Sequence, residues 1–235
     1  MSEIRQVVLD TETTGLEWRQ GERVIEIGCV ELLGRRLTGR HFHYYLNPDK
    51  AIGAGAQAVH GLTDEFLADK PKFAEVADEL LEFIRDAELI IHNAPFDVGF
   101  LDNELGLVGR EPLKSCCDSI TDTLKMAREL RPGKKNGLDA LCVEFGVDNS
   151  GRQLHGALLD AELLAEVYLA MTRGQESLMM DLDGDGSEIV SFAPGERPAI
   201  RIVAASADEL AEHERVLAEI DKESKGKTLW RTLVA

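Results

Sequence analysis

No stretch of the chain approaches the roughly 18 consecutive apolar residues of a membrane-spanning helix, so no membrane span is expected. The opening MSEIRQVVLD turns apolar and β-branched almost at once and leaves no room for a signal peptide. A cytoplasmic protein is the expectation. Cysteine is scarce: Cys29, Cys116, Cys117 and Cys142 show no C-x-x-C spacing, and the adjacent pair makes a poor metal clamp. Reduced, buried or half-buried thiols follow. Basic residues are in deficit, with 26 Lys and Arg against 43 Asp and Glu and a net charge of −17. Residues 1–173 account for −11 of this and residues 174–235 for −6. A chain that gripped duplex nucleic acid by itself would be basic, because affinity comes largely from neutralised phosphates. If nucleic acid is the substrate, this chain holds only a short end of it.

What is present suits one medium domain with an appendage, since 235 residues with 44% apolar content can bury a sizeable core. Ile4 to Leu9 reads as a buried strand that runs into Asp10-Thr11-Glu12-Thr13-Thr14-Gly15. Val24 to Leu33 and Leu37 to Leu46, separated by Gly34-Arg35-Arg36, read as a hairpin. Phe73, Val76, Ala77, Leu80, Leu81 and Ile84 fall at helical spacing. Leu89-Ile90-Ile91 is a short strand, and Pro95 opens a further helix. Asp118 to Leu130, Leu138 to Phe145 and Ala157 to Met171 read as helices. Strands first, then alternating helix and strand, give an α/β domain on one mixed sheet flanked by helices. After Arg173 an acidic, Gly- and Pro-rich stretch reads as a flexible linker. A helical pattern returns at Asp208 to Ile220, and its apolar face needs a partner. The expected divisions are a domain at 1–173, a linker at 174–206 and a tail helix region at 207–235.

Asp10 and Glu12 end a strand two positions apart, so both carboxylates share one side if the backbone stays extended. Two hard oxygen donors emerging together suit magnesium or manganese. Asp97 adds a third carboxylate in a turn entering a helix, where a capping role is the plain alternative. His155 fits a loop spanning 151–156. Asp160 sits one turn into the following helix among Leu158, Leu159, Leu163 and Leu164, where a buried acid needs a cation or hydrogen bonds.

Taken together, V-L-D-T-E-T-T-G, H-N-A-P-F-D and H-G-A-L-L-D resemble, in order, the three motifs of the DEDD superfamily of 3′–5′ exonucleases. The histidine five residues before the last aspartate resembles the subtype with a histidine base; the sister subtype has tyrosine where Gly156 stands. Ala58–Leu62, Asp69–Asp78, Ser150–Asp160 and Leu164–Thr172 extend the likeness to the proofreading epsilon subunits of bacterial DNA polymerase III. The resemblance implies a ribonuclease H-like fold and two divalent metal ions, Mg2+ or Mn2+. Asp10 would bridge them, Glu12 and Asp160 would complete the first site, and Asp97 would support the second. His155 would take the proton of the attacking water, as a side chain that ordinarily titrates near neutrality can. The substrate implied is a single-stranded 3′ end of DNA, met by Asp10, Glu12 and Asp160 and by Thr13 and His60, with His92, Asn93 and Phe96 around it.

By the same resemblance, the partners are the polymerase catalytic (alpha) subunit, the sliding clamp and, as a further candidate, a small theta-type subunit. Gln175, Leu178 and Met180 resemble the short peptide by which replication proteins dock on the clamp. Leu210, Leu217, Ile220 and Trp230 are the expected polymerase-binding residues. A free-standing end-trimming exonuclease, similar to oligoribonuclease or ribonuclease T, needs no such appendage. Three patterns are set aside. Asp181-x-Asp183-x-Asp185-Gly186 lacks the final glutamate and flanking helices of a calcium loop. Gly226-Lys227-Thr228 lacks the first glycine of a phosphate loop. His41-x-His43 decorates one side of a strand.

Overall fold

The computed structural model describes residues 4–152, 154–173 and 205–224. The chain divides into two units, Met1–Gly184 and Asp185–Ala235, which are treated separately. The first is built on a five-stranded sheet of order β3-β2-β1-β4-β5. Its strands are β1 (Arg5–Thr13), β2 (Val24–Leu33), β3 (Arg36–Tyr45), β4 (Glu88–Ile91) and β5 (Ser119–Asp122). Gly34 and Arg35 join β2 to β3 with φ of 52° and 63°, a two-residue left-handed turn whose twist matches the hairpin. β1 is antiparallel to β2 and parallel to β4, which is parallel to β5, so the sheet is mixed.

Seven α-helices among the described residues of this unit follow chain order: α1 (Ala54–His60), α2 (Asp64–Leu67), α3 (Phe73–Ile84), α4 (Ala94–Leu107), α5 (Thr123–Leu130), α6 (Leu138–Phe145) and α7 (Ala157–Met171). Alternation along the strands separates two cores. Val7 and Leu9 of β1 join Ile27, Cys29, Leu89 and Ile91 against α3 and α4. Val8 joins Val30, Leu32 and Ile90 against Ala161, Leu164 and Tyr168 of α7. A third cluster, with Ala127, Leu141, Leu163 and Val167, ties α5 and α6 to α7. Even-numbered residues of β1 therefore face α7, and odd-numbered ones face α4. That division decides the geometry of the site.

One expected element is corrected. Asp118 to Leu130 is not a single helix, because β5 occupies Ser119–Asp122 and α5 starts only at Thr123. Asp122 caps α5, its Oδ1 accepting from the amides of Leu124 (2.9 Å) and Lys125 (3.2 Å), and β-branched Ile120 and Thr121 extend along β4. The short helices α1 and α2 carry too little apolar periodicity to be anticipated. All four cysteines are free, Cys29 and Cys142 buried and the other two half-buried. A buried ion pair anchors α4: Glu104, 1% exposed, accepts from Arg23 Nε and Nη2 at 2.7 Å each.

The second unit is described at residues 205–224 and holds α8 (Ala207–Glu223). Ser206 and Glu209 form a capping box at its start. Leu210, Val216 and Ile220 are exposed and Leu217 is half-buried. No residue of α8 is buried, so the helix gains no core of its own. Among the described residues no helix is long and apolar enough to cross a membrane. Gln175, Leu178, Met180 and Trp230 lie outside the described residues.

Candidate active site

The extended conformation of β1 persists through Thr13, so Asp10 and Glu12 emerge on the face toward α7. Their cross-strand partners on β2 are Gly28 and Glu26. Gly28 is where α7 lands. A Cβ built on it would lie 2.2 Å from the amide nitrogen of Leu158 and 2.4 Å from the carbonyl oxygen of Ala157. Only a glycine allows the first turn of α7 to touch the sheet beside Asp10. From that turn, Asp160 reaches the end of β1 with 3% exposure. His155 precedes the helix; its amide donates to the carbonyl of Val59 (3.2 Å), which ties the loop to the end of α1. One ligand atom from each of Glu12, His155 and Asp160 falls within 4.8 Å of the others.

Thr11 points the other way, toward α4, and its hydroxyl donates to Asp97 Oδ1 at 2.7 Å. Asp97, 3% exposed in the first turn of α4, thus approaches the end of β1 from the opposite side of the sheet. Asn93 starts that helix in the left-handed region, with φ 65°. Asp10 and Asp97 lie outside the compact group of three donors, yet all the carboxylates feel one another. Burial, then Asp97, Asp160 and Glu12, hold Asp10 well above the ordinary carboxylate range. Burial, with Asp160 and Glu26 adding, pushes Glu12 up to about 8. Burial pushes Asp97 up to about 7, against the hydrogen bond from Thr11. Packing like charges this closely disfavours their ionised forms, and a multivalent cation among them removes the conflict. The donor set, mostly carboxylate oxygens with one imidazole, therefore fits a hard divalent metal.

The partial counter-charge that the fold provides is Arg152, whose contacts the motif spacing did not reveal. Its Nε and Nη2 donate to Asp160 Oδ1 (2.5 Å) and Oδ2 (2.6 Å), and Nη1 donates to Asp139 (2.6 Å). Nη2 also lies 2.7 Å from His155 Nδ1. A guanidinium only donates, so this contact makes Nδ1 an acceptor and puts the ring proton on Nε2. A cation held between Glu12, His155 and Asp160 would share the Asp160 carboxylate with Arg152, because each of its oxygens carries two lone pairs.

These groups line a cleft of about 660 Å³ with His92, Phe96, Lys135 and the first turn of α6. A second cavity of about 480 Å³ adjoins it, sharing Thr11, Glu12 and Phe96. Its other walls include Thr13, Leu16, Val59 and His60. His60 is 4% exposed; its Nδ1 accepts from the Leu62 amide (3.0 Å), while its Nε2 has no partner among the described residues. His92 is held by the protein, with Nδ1 2.9 Å from Thr123 Oγ1 and a further hydrogen bond to the backbone of Asn136. Asn93 lines neither cavity. His43, half-buried on β3, lies 2.8 Å from Glu26 of β2.

Comparison with known proteins shows the family. Residues 7–168 match the RNase T family, described as exonucleases. Over 237 residues the chain is 50% identical to the DNA polymerase III subunit epsilon of Salmonella typhimurium, covering 97% of both chains. It is 49% identical to that of Escherichia coli, with the same coverage. The chain belongs to the DNA polymerase III epsilon subunits. Exonuclease X in complex with 5′ overhanging duplex DNA shares the fold of this family, with a TM-score of 0.57, 25% identity, and coverage of 76% of this chain and 99% of that one. The ribonuclease H-like exonuclease fold and the exonuclease family expected from the three motifs are therefore those observed. Three epsilon-subunit features had no clear local signal: Gly28, the contacts of Arg152, and the apolar wall of Leu16 and Val59. Arg152 falls inside the string that carries His155, but nothing in that string says what its guanidinium touches.

Proposed function

We propose that this chain is the proofreading 3′–5′ exonuclease of a replicative DNA polymerase, removing mismatched 3′-terminal nucleotides as monophosphates. The observation that carries the reading is the convergence of Asp10, Glu12, Asp97, Asp160 and His155 at the open end of β1. Asp10, Glu12 and Asp160 would hold one of two divalent ions, Mg2+ or Mn2+, and Asp97, with Asp10, would support the second. Bound there, the ions polarise the scissile phosphate and make the attacking water more acidic.

The remaining work falls to the side chains. His155 accepts the water's proton at Nδ1, the ring nitrogen nearest the carboxylates (3.3 Å from Asp160). As the site fills, Arg152 releases His155 Nδ1, whose lone pair is then free to take the proton, and keeps its contact with Asp139. The terminal nucleotide occupies the cavity walled by Thr13, His60 and Phe96. Leu16 and Val59 supply apolar surface for its base, and His60 Nε2 is available to hydrogen-bond it. The rest of the strand leaves across the larger cleft. His92 lines that larger cleft, and Asn93 acts through the start of α4 that it fixes. A mismatch frays more readily than a paired end, so the pocket need not read the base to prefer it.

In the same reading, residues 1–173 form the catalytic domain, 174–206 a clamp-docking peptide with Gln175, Leu178 and Met180, and a linker. Residues 207–235 bind the polymerase catalytic subunit through Leu210, Leu217, Ile220 and Trp230. The apolar positions left exposed on α8 among the described residues support this, since they call for a partner to bury them. A theta-type subunit and the sliding clamp complete the assembly, which acts in the cytoplasm. Two experiments test the proposal. Asp10→Ala should abolish degradation of a mismatched primer with magnesium, and equal activity in the two proteins would refute the site. Deleting residues 200–235 should abolish co-purification with the catalytic subunit; retained binding would refute the tail assignment.

A further inference from the structure

In a domain whose charge is −11, positive side chains without a partner are informative. Most arginines near the cleft are spoken for: Arg131 pairs with Glu144 at 2.8 Å and Arg152 with Asp160 and Asp139. Arg128, Lys134 and Lys135 are different. All three are exposed, and among the described residues none makes an ion pair. They lie on the end of α5 and in the loop from α5 to α6, and Lys135 lines the catalytic cleft. His92, hydrogen-bonded to the backbone of neighbouring Asn136, titrates below its ordinary value, first because it is buried, with the positive charge of Arg128 acting in the same direction.

The loop that carries the lysines is fixed from below. Arg131 Nη1 donates to the Lys135 carbonyl (3.2 Å) and to Asn136 Oδ1 (3.3 Å), and Asn136 Nδ2 donates to the Lys134 carbonyl (3.1 Å). Gly133, at φ 76°, turns the chain. Asn136 is only 8% exposed, so its hydrogen bonds are internal, while Lys134 and Lys135 are exposed. The loop then delivers the uncapped N-terminus of α6 to the cleft: Gly137 makes no side-chain cap, and residues 136–140 line the wall. Free amides at a helix start and unpaired ammonium groups both favour an anion, and an oriented phosphate suits them jointly. Asp139 opposes this in the first turn of α6, but its charge is already engaged by Arg152.

Position along the strand follows from the two cavities. They meet at Glu12 and Phe96, so a terminal nucleotide in the smaller one sends the preceding nucleotides across the larger, toward α6. We infer that Lys134, Lys135, Arg128 and the α6 N-terminus form a phosphate rim that grips the phosphodiesters immediately 5′ of the one being cut. The inference rests on the exonuclease reading above. The rim gives an acidic protein a local hold on a few nucleotides of a single strand, without the broad basic surface that duplex binding requires.

The test uses the full chain with Lys134→Ala and Lys135→Ala combined, both at exposed positions. One substrate is a single-stranded oligonucleotide; the other is the p-nitrophenyl ester of thymidine 5′-monophosphate, which has no upstream phosphate. KM for the oligonucleotide should rise about tenfold, and the slope of log affinity against log salt should flatten by about 1.4, or about 0.7 per lost phosphate contact on a single strand. Rate and KM on the ester should not change. Arg36→Ala with Lys72→Ala, removing two charges away from the cleft, should leave oligonucleotide KM within about twofold. An unchanged oligonucleotide KM in the rim variant, an equal rise in the control, or a parallel loss on the ester would each overturn the rim while leaving the catalytic reading intact. Ester hydrolysis that survives Asp10→Ala would overturn the catalytic reading itself, and the rim with it.

Discussion

Replacing Gly28 by alanine adds a single methyl group at the point where α7 meets the sheet. The new Cβ would stand 2.2 Å from Leu158 N, 2.3 Å from Ala157 C and 2.4 Å from Ala157 O. Carbon contacts are comfortable only from about 3.5 Å, so the helix start must retreat by roughly 1 Å. All three atoms are backbone, and no rotamer change relieves them. The retreat carries Asp160 away from Glu12 and loosens the packing of Ala161 and Leu164 on Val8 and Val30. Overpacking of this kind costs about 2 kcal/mol, which lowers Tm by about 4–8 °C for a domain of this size. A displacement near 1 Å at a reacting centre reduces rate by about 10²-fold. Calorimetry and single-turnover degradation of a 3′ single strand measure the two effects. Gly106→Ala is the control, because nothing lies within 4 Å of its Cβ and alanine should stabilise α4 by about 0.5–1 kcal/mol. A Gly28→Ala protein with unaltered Tm and rate would show that α7 is not seated on β2 as described.

Removal of the base by His155→Ala should lower kcat by about 10²–10⁴-fold while the metal-induced rise in Tm persists; loss of that rise would make His155 a ligand rather than a base. Metal-free protein should lose stability as pH rises. Glu12 and Asp97 have folded pKa values of about 8 and about 7, above the unfolded carboxylate range near 4, so the native state binds more protons across that interval. In chelator, Tm should fall steadily from pH 5 to pH 8 and level off above it, whereas saturating magnesium should flatten the curve. A metal-free Tm that climbs over that range would contradict the raised values.

Much of this protein was determined by its sequence alone. The apolar, β-branched run of β1, the hairpin turn after β2 and the helical spacing in α3 and α7 located those elements, because each pattern reports local burial or a local turn. The order of Asp10, Glu12, Asp97, His155 and Asp160 identified the chemistry, although each residue by itself had a plain structural alternative. Asp118 to Leu130 misled, since a four-residue strand followed directly by a capped helix offers too few turns to separate the two periods.

Tertiary structure decided how those five residues meet. Which face of β1 each carboxylate takes follows from the seating of helices on opposite sides of the sheet: α7 on the side of Asp10 and Glu12, α4 on the side of Thr11. The requirement for glycine at position 28 exists only because another part of the chain arrives there. Arg152 is similar. Its nearness to His155 is visible in the chain, but its grip on Asp160 and Asp139 depends on how α6 and α7 pack together. Local patterns record the solvent that a residue faces, whereas close approach between distant segments leaves no period to read.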